Sequence, residues 1–308
     1  MNIFKKYILT FIFLFFTLNL YLLMGSSATV NYPLTIIDDT GSAVTIPEEP
    51  QRIISAAPNN TEILFALGLG DKVVGVTNYA NYPEEAIKVE KIGEMSPLNL
   101  EKIASLQPDL IVAVAFGGFQ LKEIPRLREL GFNVLVIEPL TIKETLKSIK
   151  MVATVCGIPE KGNTLVEDLS RRVNKIKSEV SKISISNRPK VFIGGTYETI
   201  YTPGEGTLLN ELITLAGGKN IAASLPGWIK ISPEFVAEAE PDIIIIPVGA
   251  MNPGEESKIK ENISQRPGWA NIPAIKTQNI FIVNEDLFYR AGPRLVDGLE
   301  LLYEIFHK

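Results

Sequence analysis

Side chains that most often carry covalent or metal chemistry are scarce in this chain of 308 residues. It has one cysteine, Cys156, and one histidine, His307, which is next to the last residue. Ser-His-Asp and Cys-His nucleophiles depend on a histidine, and zinc sites draw on several histidines or cysteines. A single cysteine also excludes an internal disulfide. The counts therefore argue against most Ser-His-Asp, Cys-His and His-metal chemistry and against a cysteine-based metal site.

Sequence patterns for nucleotide chemistry are missing as well. The chain has no GxxxxGK[ST] segment, and Gly68–Gly75 lacks the strand-then-GxGxxG context of a dinucleotide site. The count of 35 acidic residues does not exclude a glycosidase-like pair of carboxylates, but nothing in the sequence places two of them together in one site. The net charge is −5 and there is no basic block, which argues against a nucleic-acid partner. We expect no enzyme, no metal site and no cofactor.

The first 28 residues are typical of an export segment rather than of a fold. Two lysines precede the apolar run Tyr7–Met24, and small residues follow it. This order predicts a secretory signal peptide, with cleavage after Ala28. The run is also long enough to span a bilayer, so a retained N-terminal membrane anchor is the alternative. A lipid anchor cannot form at Ser26, where a lipoprotein signal has cysteine. In either case, we expect the remaining chain to work outside the cytoplasm, in the periplasm or tethered to the outer face of the cell membrane.

Two segments of the chain repeat each other. Residues 97–113 read PLNLEKIASLQPDLIVA, and residues 230–247 read KISPEFVAEAEPDIIIIP. In register, Glu101 aligns with Glu234, and each copy has a Pro-Asp pair before an apolar run. Each copy therefore predicts a short helix, a turn and a buried strand. The repeat indicates two related structural units.

Strands and helices alternate through most of the chain. Residues 142–183 differ, because apolar residues recur there at helical spacing with few glycines or prolines. Within that stretch, Ile158-Pro159 divides a first helix, about 142–156, from a long one, about 160–182. Apolar strands that alternate with helices favour mostly parallel sheets covered on both faces. We therefore predict an α/β fold of two related lobes, each a mostly parallel sheet flanked by helices, joined by one long helix.

The domain boundaries and several local features follow from the same pattern. The predicted units are an N-terminal lobe at 29–140, a connecting helical segment at 141–186 and a C-terminal lobe at 187–308. Alternation over residues 33–50 around an Asp-Thr-Gly-Ser turn predicts a hairpin. Asn60 or Thr61 is the predicted N-cap of the first helix in the fold, which should end at Gly68 or Gly70.

Taken in order, six segments resemble the substrate-binding proteins of ATP-driven importers for vitamin B12, haem and iron-siderophore complexes. They are DDTGSAVTIPEEPQRIISAAPNNTEILFALGLGDKVVGVT, NYANYPEE, LNLEKIASLQPDLIVA, LITLAGGKNIAA, ISPEFVAEAEPDIIII and RAGPRLVDGLELL, and they cover most of residues 34–308. The resemblance implies two lobes joined by one rigid helix, with the ligand in the cleft between them. Because a single long helix bends poorly, large hinge closure is not expected.

Within that family, the chain is most similar to the cobalamin-binding members. The similarity rests on TNYANYPEEA, which looks like their Ser/Tyr-rich loop, on PGWIKISPEFV, and on DLFYRAGPRL near the C-terminus. Carried over by position, the resemblance implies these ligand-binding residues: Tyr79, Phe116, Tyr201, Trp228, Phe288 and Arg290. The chain departs from the best-known type of cobalamin binder at Met95 and Leu287, which stand where tryptophans occur there.

The resemblance implies a corrinoid ligand, and two other ligands stay open. A corrin is a flat, mostly apolar macrocycle with an amide fringe, which suits broad aromatic faces. A ferric siderophore is the main alternative, although such anionic ligands often need several arginines and only Arg290 is an obvious one. Haem would need a tyrosine ligand without its usual histidine partner. For each aromatic residue alone, packing against its own lobe is the competing interpretation, and Arg290 could instead pair with Asp286 at the rim.

Glu101 and Glu234 have two interpretations. Each lies in the first turn of its helix, after the predicted caps Asn99 and Ser232, where the helix dipole favours a carboxylate by about 0.3–1 kcal/mol. The resemblance implies instead that they are acidic knobs, one per lobe, that dock into basic sockets of a membrane permease. The implied partners are the permease and the ATPase of an ABC importer, and we expect a monomer when the protein is free.

Overall fold

The computed structural model describes residues 30–115, 118–194, 199–249 and 255–308. The first lobe contains, in chain order, β1 (Leu34–Ile37), β2 (Ala43–Ile46), β3 (Ile53–Ser55), α1 (Pro58–Ala66), β4 (Val73–Val76), α2 (Glu84–Ile87), α3 (Leu100–Ser105), β5 (Leu110–Ala113), α4 (Glu123–Glu129) and β6 (Val134–Val136). The connecting segment contains α5 (Ile142–Val155) and α6 (Pro159–Ser181).

The second lobe contains, in chain order, β7 (Lys190–Ile193), β8 (Ile200–Pro203), α7 (Leu208–Leu215), β9 (Lys219–Asn220), β10 (Trp228–Ile231), α8 (Pro233–Ala239), β11 (Ile243–Val248), α9 (Glu256–Ser264), α10 (Pro273–Lys276), β12 (Ile280–Asn284), α11 (Asp286–Tyr289) and α12 (Leu295–Phe306). The predicted boundary near residue 140 falls between β6 and α5, and the one near residue 186 falls between α6 and β7.

Each lobe has a four-stranded sheet whose strand pairs are parallel. The strand order is β4-β3-β5-β6 in the first lobe and β12-β11-β7-β9 in the second. Parallel neighbours need crossover connections, and helices supply them in both lobes. The predicted α/β fold of parallel sheets flanked by helices is confirmed. β1 and β2 form the predicted antiparallel hairpin, and β8 pairs with β10 as a second antiparallel ribbon.

Apolar side chains cover both faces of each sheet. One large core extends from the first sheet through α5 and α6 to the second sheet, with Ile53, Val152, Leu169 and Val191 among its buried members. A second cluster lies on the other face of the first sheet, and a third, around Trp269, lies on the other face of the second sheet. Burial on both faces explains why the strands read as continuous apolar runs.

The connecting segment forms two helices, divided where the sequence predicted. Pro159 occupies the first turn of α6, where its missing N–H costs no helical hydrogen bond. The helix α6 packs one apolar stripe into the large core. At the edge of that stripe, Arg172 bonds to Asp297 at 2.5 Å and to Glu300 at 2.5 and 2.9 Å, which ties α6 to α12.

The predicted N-cap of α1 is wrong, although its predicted end at Gly68 is confirmed. The helix begins at Pro58 after Ala57, so Asn60 and Thr61 lie inside its first turn. Both side chains are buried and bond to strand ends instead: Asn60 Nδ2 donates to the Val112 carbonyl at 2.9 Å, and Thr61 shares a 2.7 Å hydrogen bond with Ser55. The polar groups of Asn60 and Thr61, which the sequence predicted to cap the helix, therefore make tertiary hydrogen bonds instead.

Among the described residues, no helix is long and apolar enough to cross a membrane. The predicted signal peptide or anchor at 1–28 lies outside the described residues.

Candidate functional site

Segments that follow strand ends in the two lobes meet at the boundary between the lobes. In the first lobe, α1 follows β3, and the loop 77–83 follows β4. In the second lobe, residues 286–294 follow β12. The second-lobe segment contacts both first-lobe segments through side chains. Ligand sites of open α/β sheets lie outside the carboxyl ends of the strands, so this junction borders the candidate cleft.

Five polar residues at the junction, which we call the interlobe cluster, are Glu62, Asn81, Asp286, Arg290 and Arg294. Arg294 donates to the Glu62 carboxylate at 2.5 and 2.9 Å, and Arg290 Nη1 donates to it at 3.1 Å. Arg290 Nη2 lies 2.8 Å from Asp286. The Asn81 amide accepts from Arg290 at 2.7 Å and donates to Asp286 at 3.1 Å.

Charge within the interlobe cluster is balanced, because two guanidinium groups face two carboxylates. The Glu62 side chain is 1% exposed, so its charge depends on these partners. Burial alone would lower the pKa of Arg294, but the hydrogen bond and the charge of Glu62, with the charge of Asp286, outweigh it and raise the pKa. The cluster therefore presents no uncompensated positive charge.

Aromatic side chains lie beside the interlobe cluster on the second lobe. Trp228 and Tyr201 are 43% and 53% exposed and lie on the same face of the β8–β10 ribbon, since Trp228 pairs with Pro203 and Tyr201 with Lys230. The Trp228 ring meets Tyr289 edge-on at 5.7 Å between centroids. Burial, with the charge of Glu285, raises the pKa of Tyr289, which stays a neutral phenol.

The first lobe contributes aromatic residues from the loop 77–83. Tyr79 is exposed, and its backbone carbonyl accepts from Arg290 Nη2 at 3.3 Å. A hydrogen bond between its hydroxyl and the Glu94 carboxylate raises the pKa of Tyr79 and lowers that of Glu94. The Tyr82 ring lies under the Arg294 guanidinium at 3.8 Å, a cation–π contact across the lobe boundary.

The structure brings together Tyr79, Trp228 and Arg290 from the predicted ligand-binding set, with Tyr201 on the same ribbon face as Trp228. Arg290 makes the pairing with Asp286 that the sequence left as an alternative, and its side chain is only 10% exposed. Phe116 lies outside the described residues.

The placement of Phe288 in the cleft is corrected by the structure. Its side chain is 1% exposed and belongs to the large core, with Leu295 and Leu299 in the same cluster. In the four-residue helix α11, both neighbours of Phe288 also pack against this core, and a segment of that length has no periodic pattern that marks the most buried residue. Leu287 is partly buried against the same core.

Several residues of the junction were missed by sequence reasoning: Glu62, Asn81, Tyr82, Tyr289 and Arg294. Glu62 stands in the first helix of the fold among apolar residues, and an acidic residue there looks like a solvent-facing position. The segments that contain Asn81, Tyr82, Tyr289 and Arg294 were singled out by the resemblance. A second arginine four residues after Arg290 was the signal available in the sequence for a paired cluster.

Glu101 and Glu234 are exposed in the first turns of α3 and α8. The predicted caps are confirmed, since Asn99 and Ser232 accept hydrogen bonds from backbone N–H groups three residues on, at 3.0 and 3.2 Å. Hydrogen bonds from its own backbone N–H and from Ser232 lower the pKa of the Glu234 carboxyl. Both residues therefore lie exposed at helix starts, available to a partner from solvent.

Two parallel-sheet lobes, a helical connection and a polar and aromatic junction between the lobes define a two-lobed binding protein. Residues 53–287 match the family described as "Periplasmic binding protein", and the chain belongs to that family. The uncharacterized ABC transporter substrate-binding lipoprotein YvrC of Bacillus subtilis is 38% identical over 276 residues, which are 89% of this chain and 85% of that protein.

Two solved structures are also similar. The periplasmic vitamin B12-binding protein BtuF of Vibrio cholerae has a TM-score of 0.72 at 30% identity, over 84% of this chain and 98% of that one. A possible iron-binding, periplasmic solute-binding protein from Staphylococcus epidermidis has a TM-score of 0.74 at 30% identity, over 85% of this chain and 100% of that one.

Family membership makes this chain an extracytoplasmic solute-binding protein of an ABC importer. Such a protein works with the permease and the ATPase of the importer. The family and the similar proteins are binding proteins, which confirms the prediction that the chain is not an enzyme.

Proposed function

We propose that this solute-binding protein captures a corrinoid in the cleft between its lobes. The observation that carries the proposal is the pairing of all charges in the interlobe cluster beside exposed aromatic faces. Both arginines at the junction are neutralised by Glu62 and Asp286. A site of this kind suits a large ligand that is mostly neutral and apolar, and it offers little to a ligand with several negative charges.

Broad rings supply the binding energy that such a ligand needs. Trp228, Tyr201 and Tyr79 are exposed, and burial of apolar area contributes roughly 25 cal/mol per Å². Tyrosine hydroxyls and the backbone add hydrogen bonds for an amide fringe without adding charge. The vitamin B12-binding protein of Vibrio cholerae, similar over most of both chains, supports the same ligand class.

A ferric siderophore is the second candidate, and one observation favours it. Lys230 lies opposite Tyr201 on the exposed face of the β8–β10 ribbon, where its ammonium group can meet an anionic ligand. The similar protein from Staphylococcus epidermidis is described as possibly iron-binding. A single lysine beside a neutral cluster favours a ligand of low charge over a highly anionic one.

Calorimetry on the purified full-length chain in mild detergent tests the proposal. Cyanocobalamin, cobinamide, haemin and a ferric hydroxamate are titrated in turn. The proposal expects saturable binding of the two corrinoids at one site per chain. Binding of the hydroxamate, with no heat from either corrinoid, would replace the corrinoid by the second candidate, and binding of haemin alone would replace both.

Delivery of the ligand is proposed to use Glu101 and Glu234 as docking knobs, one per lobe. The repeat places them in matching first turns of α3 and α8, exposed and anionic. Paired carboxylates on two related lobes suit a permease built from two equivalent halves with basic sockets, because charge pairing steers the encounter and fixes the register. We also propose that the segment 1–28 exports the chain or anchors it to the outer face of the membrane.

A further inference from the structure

We infer that the interlobe cluster fixes the width of the ligand cleft, and that Glu62 and Asn81 are positioning residues for the aromatic rings that line it. The inference rests on the proposed cleft as the ligand site, although it does not depend on which ligand binds. It gives Glu62 and Asn81 of the first lobe a role that follows neither from the sequence repeat nor from the aromatic residues of the cleft.

The contacts of two consecutive residues carry the inference. Tyr289 packs edge-on against Trp228 of the second lobe, and the next residue, Arg290, bonds to the backbone of Tyr79 in the first lobe. One short segment therefore touches a predicted ligand-binding residue on each side of the cleft. If this segment shifts relative to either lobe, the distance between Tyr79 and Trp228 changes.

Glu62 and Asn81 hold that segment from the first lobe. Glu62 is buried on α1, and its carboxylate accepts hydrogen bonds from the guanidinium groups of Arg290 and Arg294. Each of these bonds joins residues more than 220 positions apart in the chain. The Asn81 amide is satisfied on both sides, since Arg290 donates to it and Asp286 accepts from it. Because one end accepts and the other donates, only one orientation of the amide serves both partners.

The loop that contains Tyr79 is fixed at its other end as well. The Tyr82 ring stacks under Arg294, which itself is bound to Glu62. The loop is thus held to the second lobe at Tyr79, Asn81 and Tyr82. The helices α5 and α6 join the lobes covalently, and the interlobe cluster is a second, non-covalent connection. Two connections restrict the relative motion of the lobes more than a single one does.

A pre-organised cleft binds its ligand more tightly, because less ordering remains to be done on binding. Removal of the Glu62 charge leaves the two guanidinium groups with only Asp286 as a charged partner. Removal of the Asn81 amide deletes its hydrogen bonds to Arg290 and Asp286, and either change frees the segment to move. The loss of Glu62 or Asn81 should therefore spread the distribution of lobe separations in the free protein. It should also weaken ligand binding, although neither side chain needs to touch the ligand.

The test uses spin labels on both lobes of the full-length chain, in a Cys156→Ala background with Glu129→Cys and Lys276→Cys. Both labelled positions are exposed and lie on α4 and α10. Pulsed dipolar spectroscopy measures the distance distribution without ligand in the parent, Asn81→Ala and Glu62→Gln proteins. Arg172→Gln is the matched control, since Arg172 also pairs with two carboxylates but joins α6 to α12.

We expect a single narrow distribution in the parent and in Arg172→Gln, and one about twice as wide in Asn81→Ala and Glu62→Gln. The Kd for cyanocobalamin should rise about tenfold in the same two variants. Asn81 is exposed, so Asn81→Ala keeps the test valid if Glu62→Gln does not fold. Unchanged distributions in both variants, or equal broadening in Arg172→Gln, would overturn the inference. If Asn81→Ala and Glu62→Gln broaden the distribution while the parent binds no corrinoid, the inference is supported and only the proposed ligand is contradicted.

Discussion

Asp109 and Asp242 make corresponding contacts in the two lobes, each with the backbone at the start of a neighbouring strand. The Asp109 carboxylate accepts from the backbone N–H of Gln51 at 2.7 Å and of Arg52 at 3.0 Å, at the start of β3. The Asp242 carboxylate accepts from the N–H of Lys190 at 2.7 Å, at the start of β7. Asp109 directly precedes β5, and Asp242 directly precedes β11. Each carboxylate thus joins the beginning of the strand that follows it to the beginning of a neighbouring strand.

The residues around this contact also correspond. Gln107 and Glu240, which precede the two Pro-Asp pairs, are both left-handed, with φ of 47° and 50°. Both turns therefore end a helix and aim the aspartate at the adjacent strand. The repeated sequence encodes a repeated turn, and this is the structural reason for its duplication.

Substitution of these aspartates should destabilise the fold. Asp109→Ala leaves two backbone N–H groups without their carboxylate and Asp242→Ala leaves one, at a cost of about 1–3 kcal/mol for each variant. Denaturant unfolding followed by circular dichroism measures the change. Asp71→Ala, at an exposed position in a short 3₁₀ turn, is the control and should shift the midpoint little. Equal midpoints for all three variants would show that the carboxylates contribute nothing.

Trp228→Ala should weaken ligand binding and leave the fold intact. Burial of a large apolar side chain contributes about 1.5–3 kcal/mol, which corresponds to a Kd roughly 10 to 100 times higher. Calorimetry with cyanocobalamin measures the loss, and Ile185→Ala, at an exposed site after α6, is the control. In the parent, ligand binding should quench the fluorescence of Trp228. The fluorescence of Trp269 should not be quenched, because this residue is buried in the core and its indole N–H donates to the Pro233 carbonyl. An unaltered Kd in Trp228→Ala would remove this residue from the site.

Reversal of both docking charges should abolish transport without loss of ligand binding. Glu101→Lys with Glu234→Lys replaces attraction to a basic socket by repulsion, and the loss of one partner of a desolvated pair costs about 2–5 kcal/mol. Uptake of radiolabelled ligand and complex formation with the importer measure the effect, and raised salt should weaken docking of the parent. The control reverses Glu129 and Glu238, exposed glutamates of α4 and α8. If transport is normal after the first double reversal, the two carboxylates are only partners of their helix dipoles.

Cys156 should be unreactive in the native protein. It is fully buried in the large core, and this burial raises the pKa of its thiol to about 12. Because the thiolate is the nucleophile, labelling with a disulfide reagent at pH 8 should proceed only as the chain unfolds. A cysteine placed at Ile185, which is exposed, should react at once. Fast labelling of Cys156 in folded protein would contradict its position in the core.

The same thiol adds a pH dependence to stability. Its folded pKa is raised, so its contribution is present below the unfolded pKa, about 8.5, and is lost as the pH rises above that value. Cys156→Ala should reduce the loss of stability between pH 8 and about 10 in denaturant titrations. Burial raises the pKa of Tyr32 to about 12. Tyr32 therefore adds a pH dependence of the same direction at higher pH, and this contribution should remain after Cys156→Ala.

Features that depend on near neighbours in the chain could be predicted from the amino-acid sequence. Apolar runs, glycine and proline positions and the repeat predicted two parallel-sheet lobes, the division at Pro159 and the caps Asn99 and Ser232. These features are set by backbone preferences and by local periodicity, which a single sequence contains. The order of the resembling segments added the family.

Contacts across the lobes could not be predicted in this way, because they depend on packing between distant parts of the chain. Glu62 and Arg294 are 232 residues apart, and no local pattern relates an acidic residue in one helix to a guanidinium at the start of another. The burial of Phe288 and of Asn60 depends on what packs above them, not on their neighbours in the chain. The pairing of Arg290 with carboxylates from both lobes arises because a buried charge requires a partner, and only the folded chain brings those partners within hydrogen-bond distance.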